Sequence, residues 1–352
     1  MEKLKLGTAY HGNRMLGHVK ADMLDIVKNN MNLVVHMFTH NDMERHKNVM
    51  KDIIAVTEDT GLECWVDNWG LWGPPGDLSH ILQEYRDSHQ ITSKGNVHPT
   101  RICFNSPGAY EFTTKWIDMV AEAGGKTIFW DEPHLLHEFG TDEFTCCCPR
   151  CKKIFEERYN MEMPSTFTSE VADFCQWTIT NFFTKVAKYA QKAGVKNVLC
   201  QFAGNLKLMK ELSEIDAMDG VGIDPYWSDG MNVYEKVYSR SKAFLDRTAE
   251  INCDKHIWIK GFGIKNGFED DIYEGTEAAY DAGARTILSW SYRGGEACDY
   301  RMQCPDLGWH VIGDAMRRVK DKHLDAVMAK RYAEKDMYLN KYLEELKAKG
   351  KL

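Results

Sequence analysis

Short runs of β-branched and aromatic residues alternate with longer stretches of helical apolar spacing, and the alternation recurs eight times along the chain. This is the pattern of a parallel sheet assembled from strand–helix units. The expected strands are Lys3–Tyr10, Leu33–Phe38, Glu63–Asp67, Thr127–Asp131, Asn197–Phe202, Gly220–Asp224, His256–Lys260 and Arg285–Trp290. Helical spacing covers Met43–Glu58, Tyr110–Ala123, Ser169–Lys192, Asn232–Thr248, Glu269–Ala282 and Trp309–Lys320. Gly61, Gly124-Gly125, Gly194 and Gly283 fall where a helix stops and a strand begins, the position of a left-handed C-cap. Eight units closing on themselves predict an α/β fold, a (β/α)8 TIM barrel. A chain of 352 residues suffices for two average domains, yet barrels of this kind use as much sequence for one unit. Residues 1–322 are therefore read as a catalytic barrel. Residues 323–352, rich in Lys, Glu, Ala and Leu, are read as a C-terminal helical extension.

Two connections are too long to be turns, and both follow strands, so both belong to the face where barrel enzymes build their sites. The loop after strand 3, Trp69–Pro107, carries Pro74-Pro75 and the spacing of a short helix over Leu78–His89. The loop after strand 4, Pro133–Ser169, carries a cysteine cluster and a helix around Lys152–Tyr159. Cys103 and Cys146-x-Cys148-x2-Cys151 bracket the fourth strand, and thiolates so spaced can converge on one tetrahedral Zn2+ with no open position, a structural site. Cys147 is the spare, able on spacing alone to trade places with Cys146. No organic cofactor is expected. Eleven cysteines, an odd number in a large chain, suit a reducing compartment better than a disulfide framework, and no secretory signal opens the sequence, so a cytoplasmic location is expected.

The strand exits hold a compact polar and aromatic set: His11, His36, Asp67, Trp69, Asp131, Glu132, Asp224, Tyr226, Trp227, Lys260, Trp290, Arg293 and Glu296. A formal net charge of −8 argues against nucleic acid and anionic membrane as partners, which leaves a small carbohydrate as the class that fits. A homo-oligomer remains open. Glycoside hydrolysis needs one carboxylic acid to protonate the departing oxygen and a second carboxylate to attack, or to activate water. Asp131-Glu132 stands at the end of strand 4, and Pro133 forbids helix directly after it, so Glu132 is expected to be extended at the barrel mouth. Asp224 ends strand 6 and faces it across the barrel. Trp65 or Trp69, with Trp227 and Trp290, would offer flat faces to sugar C–H groups while His11, His36, Asp67, Tyr226, Lys260, Arg293 and Glu296 bond hydroxyls.

The order Arg101-Ile-Cys103-Phe-Asn105-Ser106-Pro107, a helix, Phe129-Trp130-Asp131-Glu132, then Cys146-x-Cys148-x2-Cys151-x3-Phe155 resembles the zinc-containing β-galactosidases of glycoside hydrolase family forty-two. The resemblance covers about a sixth of the chain. It implies Cys103, Cys146, Cys148 and Cys151 as zinc ligands and Glu132 as general acid/base. The family's Asn is Asp131 here, and the strand-7 Glu that serves the family as nucleophile is absent from Ile259-Lys260-Gly261-Phe262-Gly263. Two assignments follow. In one, Glu132 is the acid while Asp224, Asp67 or Glu296 is the base or nucleophile; in the other, Asp131 attacks and Asp224 donates the proton, as in the aspartate pair of the α-galactosidase barrels. A metal-dependent sugar isomerase or lyase using His11, His36, His134, Asp67 and Glu132 is the rival enzyme class. A barrel that binds carbohydrate without turnover is a third reading.

Overall fold

The computed structural model describes residues 3–70, 81–137, 143–349 and 351. Its barrel strands are β1 (Lys5–Tyr10), β2 (Leu33–Met37), β3 (Glu63–Asp67), β6 (Thr127–Trp130), β7 (Lys196–Gln201), β8 (Gly220–Ile223), β9 (Asp254–Lys260) and β10 (Thr286–Trp290). Between β3 and β6, β4 (His89–Ile91) and β5 (Val97–Ile102) form a separate antiparallel pair. The eight barrel strands close in the order β1-β10-β9-β8-β7-β6-β3-β2, every pair parallel. The chain is thus the (β/α)8 barrel its alternation predicts, with each expected strand placed to within two residues.

Parity along the strands divides the core in two. Leu33, Val35 and Met37 join Trp65, Phe129, Trp258 and Leu288 inside the barrel, whereas Val34 joins the larger layer between strands and helices. Trp116, on the helix Pro107–Glu122, is fully buried in that outer layer and donates its indole N–H to the Phe38 carbonyl at 2.7 Å. Truncating it to Ala would cost about 3–5 kcal/mol. The same helix starts where Ser106 Oγ accepts the Ala109 N–H at 3.1 Å and Pro107 occupies the first turn, so its N-terminus is capped by the residues the sequence supplies. Gly61 and Gly194 end their helices at φ +86° and +79°, a region closed to most side chains.

Two local expectations are corrected. The helix expected over Met43–Glu58 is two, His40–Arg45, whose start is set by a capping box of Thr39 and Asp42, and Lys47–Asp59, the two divided at His46, whose φ of −123° leaves the helical region. Of the helix expected over Leu78–His89, residues 78–80 lie outside the described residues, as do Pro74-Pro75. The rest is a single turn, Ile81–Glu84, followed by a 3-10 turn and β4, whose His89 pairs with Ile102. At the C-terminus one helix, Pro305–Ala348, spans the expected boundary at residue 322. Trp309, Ile312 and Met316 bury its first turns, while Leu324, Met328, Tyr332 and Leu339 stand in solvent further along. No helix of the described residues is long and apolar enough to cross a membrane.

Candidate active site

The strand ends converge on a cavity of about 230 Å3 at the C-terminal mouth. Trp69, Tyr226, Phe262, Trp290 and Tyr300 form aromatic walls, and Asp131 and Glu132 line it with carboxylates. Asp67 ends β3 fully buried, with neither oxygen hydrogen-bonded among the described residues, and burial together with the Asp131 charge raises its pKa well above the ordinary value. Burial, then the neighbouring Glu132 charge, does the same to Asp131. Glu132 is raised well above the usual range by burial and by the hydrogen bond it shares with Asp224, whose own carboxyl is pushed up to about 6, mainly by burial. The strand-4 and strand-6 acids therefore lie next to each other at the mouth.

Glu132 is not extended as its following proline suggests. Its φ is +36°, an unfavourable value for a residue with a Cβ, worth about 1–3 kcal/mol of strain. Neighbouring groups hold it there: Gln201, buried at the end of β7, donates its amide N–H to the Pro133 carbonyl at 2.8 Å, and His134 Nδ1 lies 2.6 Å from the Glu132 carbonyl oxygen. The Asp131 N–H bonds the Asn68 side-chain oxygen at 3.3 Å.

Several expected ligand contacts lie elsewhere. His36 points outward from β2, its Nε2 2.9 Å from Thr57 Oγ1 on the enclosing helix. Trp227 is buried in the outer layer, where a Cβ on Gly275 would come within 2.6 Å of its ring. Trp65 lies inside the barrel against Phe129 and His256. Lys260 is bound to Asp229 at 2.7 Å. Arg293 and Glu296 pair with each other at 2.6 Å and line a second cavity, about 280 Å3, that His11 also borders. His11 wedges between Trp69 and Trp290, 4.6 and 4.7 Å between ring centroids, and burial pushes its pKa down to about 4, so it is neutral. The metal-ligand set of the isomerase reading is not assembled, because His36 is turned away.

Phe262 and Tyr300 are the lining residues that sequence reasoning missed. Phe262 lies two residues past β9 and was within reach of a strand-exit search; Tyr300 comes from ten residues beyond β10 and carries no such signal.

Beside this mouth, Cys103 follows β5, Cys146 and Cys148 come from the loop after β6, and Cys151 sits in the first turn of the helix Pro149–Tyr159. Their four sulfurs lie within 4.8 Å of one another, all buried, with Cys103 Sγ 3.9 Å from Cys148 Sγ and 3.4 Å from Cys151 Sγ. Four sulfurs about 2.3 Å from a zinc ion stand about 3.8 Å apart, so the set matches a closed tetrahedral site. Asn105 donates an N–H toward Cys151 Sγ at 3.4 Å, the outer-shell support such a site needs. Cys147 is outside the set, its thiol directed at the Phe144 carbonyl.

No protein-family model and no curated protein matches the chain. Among solved structures it is similar to the catalytic domain of β-amylase from Paenibacillus polymyxa, at TM-score 0.62 and 9% identity over 83% of this chain and 93% of that one. It is similar also to an endo-1,4-β-mannanase from Rhizomucor miehei, at TM-score 0.59 and 9% identity over 91% and 95% of the two chains. A D-allulose 3-epimerase from Methylomonas sp. superposes at TM-score 0.50 and 10% identity over 90% and 99%. At such identities these likenesses define a class by fold, the (β/α)8 barrels, a class whose members here include glycoside hydrolases and sugar epimerases.

Proposed function

We propose that the protein is a carbohydrate-active enzyme, a glycoside hydrolase acting on small glycosides with Glu132 as general acid and Asp224 as its partner base. The observation that carries this reading is the pair of strand-end acids Asp131 and Glu132 lining an aromatic-walled cavity, with the buried Asp224 next to Glu132. Two titratable groups driven to different pKa values by their surroundings divide the roles of acid and base. Glu132, raised well above the usual range, is the group suited to deliver a proton to a glycosidic oxygen, while Asp224, pushed up to about 6, is suited to take one from water. A sugar seated between them must part the pair, because an inverting mechanism separates its carboxyls by about 6.5–9.5 Å and a retaining one by about 5–5.5 Å. Asp131, on the cavity wall, is the alternative nucleophile. The β-galactosidase mechanism does not carry over, since β9 ends in Lys260 rather than a carboxylate.

Trp69 and Trp290 supply the flat apolar faces that a sugar ring packs on. The volume is below the about 300–1,000 Å3 typical of sites for drug-sized ligands, which favours a single ring over a long chain. Alongside, the four-cysteine set would hold a structural Zn2+ that fixes the loop carrying Asp131 and Glu132 to β5. The test is a panel of aryl α- and β-glycosides, followed by NMR of the released anomer, with Glu132→Gln, Asp131→Asn and Asp224→Asn measured separately. Wild-type rates in all three variants would place the chemistry elsewhere.

A further inference from the structure

The active-site cavity has no positive charge of its own. Among the described residues lining it there is no lysine or arginine, and segments 71–80 and 138–142, outside the described residues, contain none in their sequence. Of the cations near the mouth among the described residues, Lys260 is paired with Asp229 at 2.7 Å, Arg14 with Asp42 at 2.8 Å and Arg293 with Glu296 and Asp306, while Arg101, outside the lining, meets the His134 ring at 3.1 Å. Against this stand four carboxyls, Asp67, Asp131, Glu132 and Asp224, of which Asp67 is fully buried with both oxygens unpartnered and Asp224 has one oxygen unpartnered. The remaining titratable neighbours bring no compensating charge: burial keeps Cys200 and Tyr226 protonated and neutral, and His11 is neutral as well. The walls are indole and phenol rings, whose faces attract cations.

An uncharged sugar leaves this imbalance as it is; a ligand with an ammonium group corrects it. We infer that the substrate carries a protonated amine, as an amino sugar with a free rather than acetylated nitrogen does, seated between the Trp69 and Trp290 faces and the Asp131 carboxylate. The inference rests on the carbohydrate reading of the same cavity and narrows it. A cation entering a site whose carboxyls hold protons displaces one or more of them, so binding releases protons and strengthens as pH rises through the titration of the carboxyls.

The experiment measures binding of glucosamine, glucose and N-acetylglucosamine, and of the matching galactose set, by calorimetry at pH 5 and 7 in two buffers of different ionisation enthalpy. The free amine of at least one set should bind about ten-fold or more tighter than both of its neutral relatives at pH 7, with proton release, and the advantage should shrink at pH 5. Asp131→Asn should reduce it, and because the wild-type comparison stands alone, a variant that fails to fold does not spoil the test. Equal affinities, or tighter binding of the neutral or acetylated sugar, would overturn the inference. Turnover of aryl glycosides separates the two proposals. Faster hydrolysis of neutral than of amino glycosides leaves the hydrolase reading standing without the cationic substrate, whereas amine-selective binding with no hydrolysis keeps the ligand class and removes the hydrolase.

Discussion

Four thiols and four carboxyls sit on neighbouring loops of one barrel face, and they answer opposite demands. Cys103, Cys146, Cys148 and Cys151 form a closed, buried set at the spacing of a tetrahedral ion, supported by Asn105. Asp67, Asp131, Glu132 and Asp224 crowd beside an open cavity, with buried oxygens of Asp67 and Asp224 left unpartnered and a strained backbone at Glu132. The first arrangement is what stability asks of like groups. The second is costly for folding, and groups so placed belong to sites where a ligand completes them.

The largest effect should come from breaking the thiol set. Cys148→Ser should lower bound metal from about one zinc per chain toward none and destabilise the fold by several kcal/mol, since structural zinc contributes directly to folding. Elemental analysis and thermal unfolding check it; wild-type protein purified without metal would remove the contrast between the two clusters. Next in size, Glu132→Gln should lower kcat by about 10^2–10^4 with little change in unfolding temperature, as measured on any glycoside the enzyme turns over. A thiol variant that loses stability and a carboxyl variant that loses rate would sharpen the division.

A smaller effect of opposite sign is expected at Asp67. Its folded-state pKa is raised, so the folded protein binds more protons than the unfolded chain once pH exceeds about 3.9, and stability contributed by the protonated form is lost as pH rises. Asp67→Asn should therefore stabilise the protein by about 1–3 kcal/mol at pH 7 and by less at pH 4, read from denaturant unfolding at both pH values. The smallest expected change is at His36. Because it packs on Thr57 away from the cavity, His36→Gln should leave KM and kcat within about two-fold and affect only stability, by about 1 kcal/mol.

The misplacement of His36 shows where sequence reading runs out. All eight strands were legible because short apolar runs and capped helices alternate. Which face each residue takes was not, because a parallel barrel strand is apolar on both sides: Val34 and Val35 look alike in Leu33–Met37, yet one faces the helices and the other the barrel interior. Without an alternation to set parity, His36 and Trp227 could be read as ligand contacts when they pack outward. That Asp131 and Glu132 line the mouth was legible because both stand at the exit of an identifiable strand. The backbone at Glu132 was not, since it is imposed by Gln201 and His134, groups that local preference before proline does not include. The β4–β5 pair was hidden for a related reason: β4 is three residues long, and β5, exposed or partly exposed at all but its last residue, lacks an apolar run.

Chemical-shift titration of 13C-labelled aspartate carboxyls bears most directly on the Glu132–Asp224 pair, because it needs no substrate. One aspartate resonance, raised by burial and further by the Asp131 charge, should titrate near pH 6, disappear in Asp224→Asn, move toward the ordinary range in Asp131→Asn, and not fall in Glu132→Gln, where a hydrogen bond that lowers it is lost or kept. Aspartates that all titrate below about 4.5, or a resonance near 6 that survives Asp224→Asn, would contradict the account.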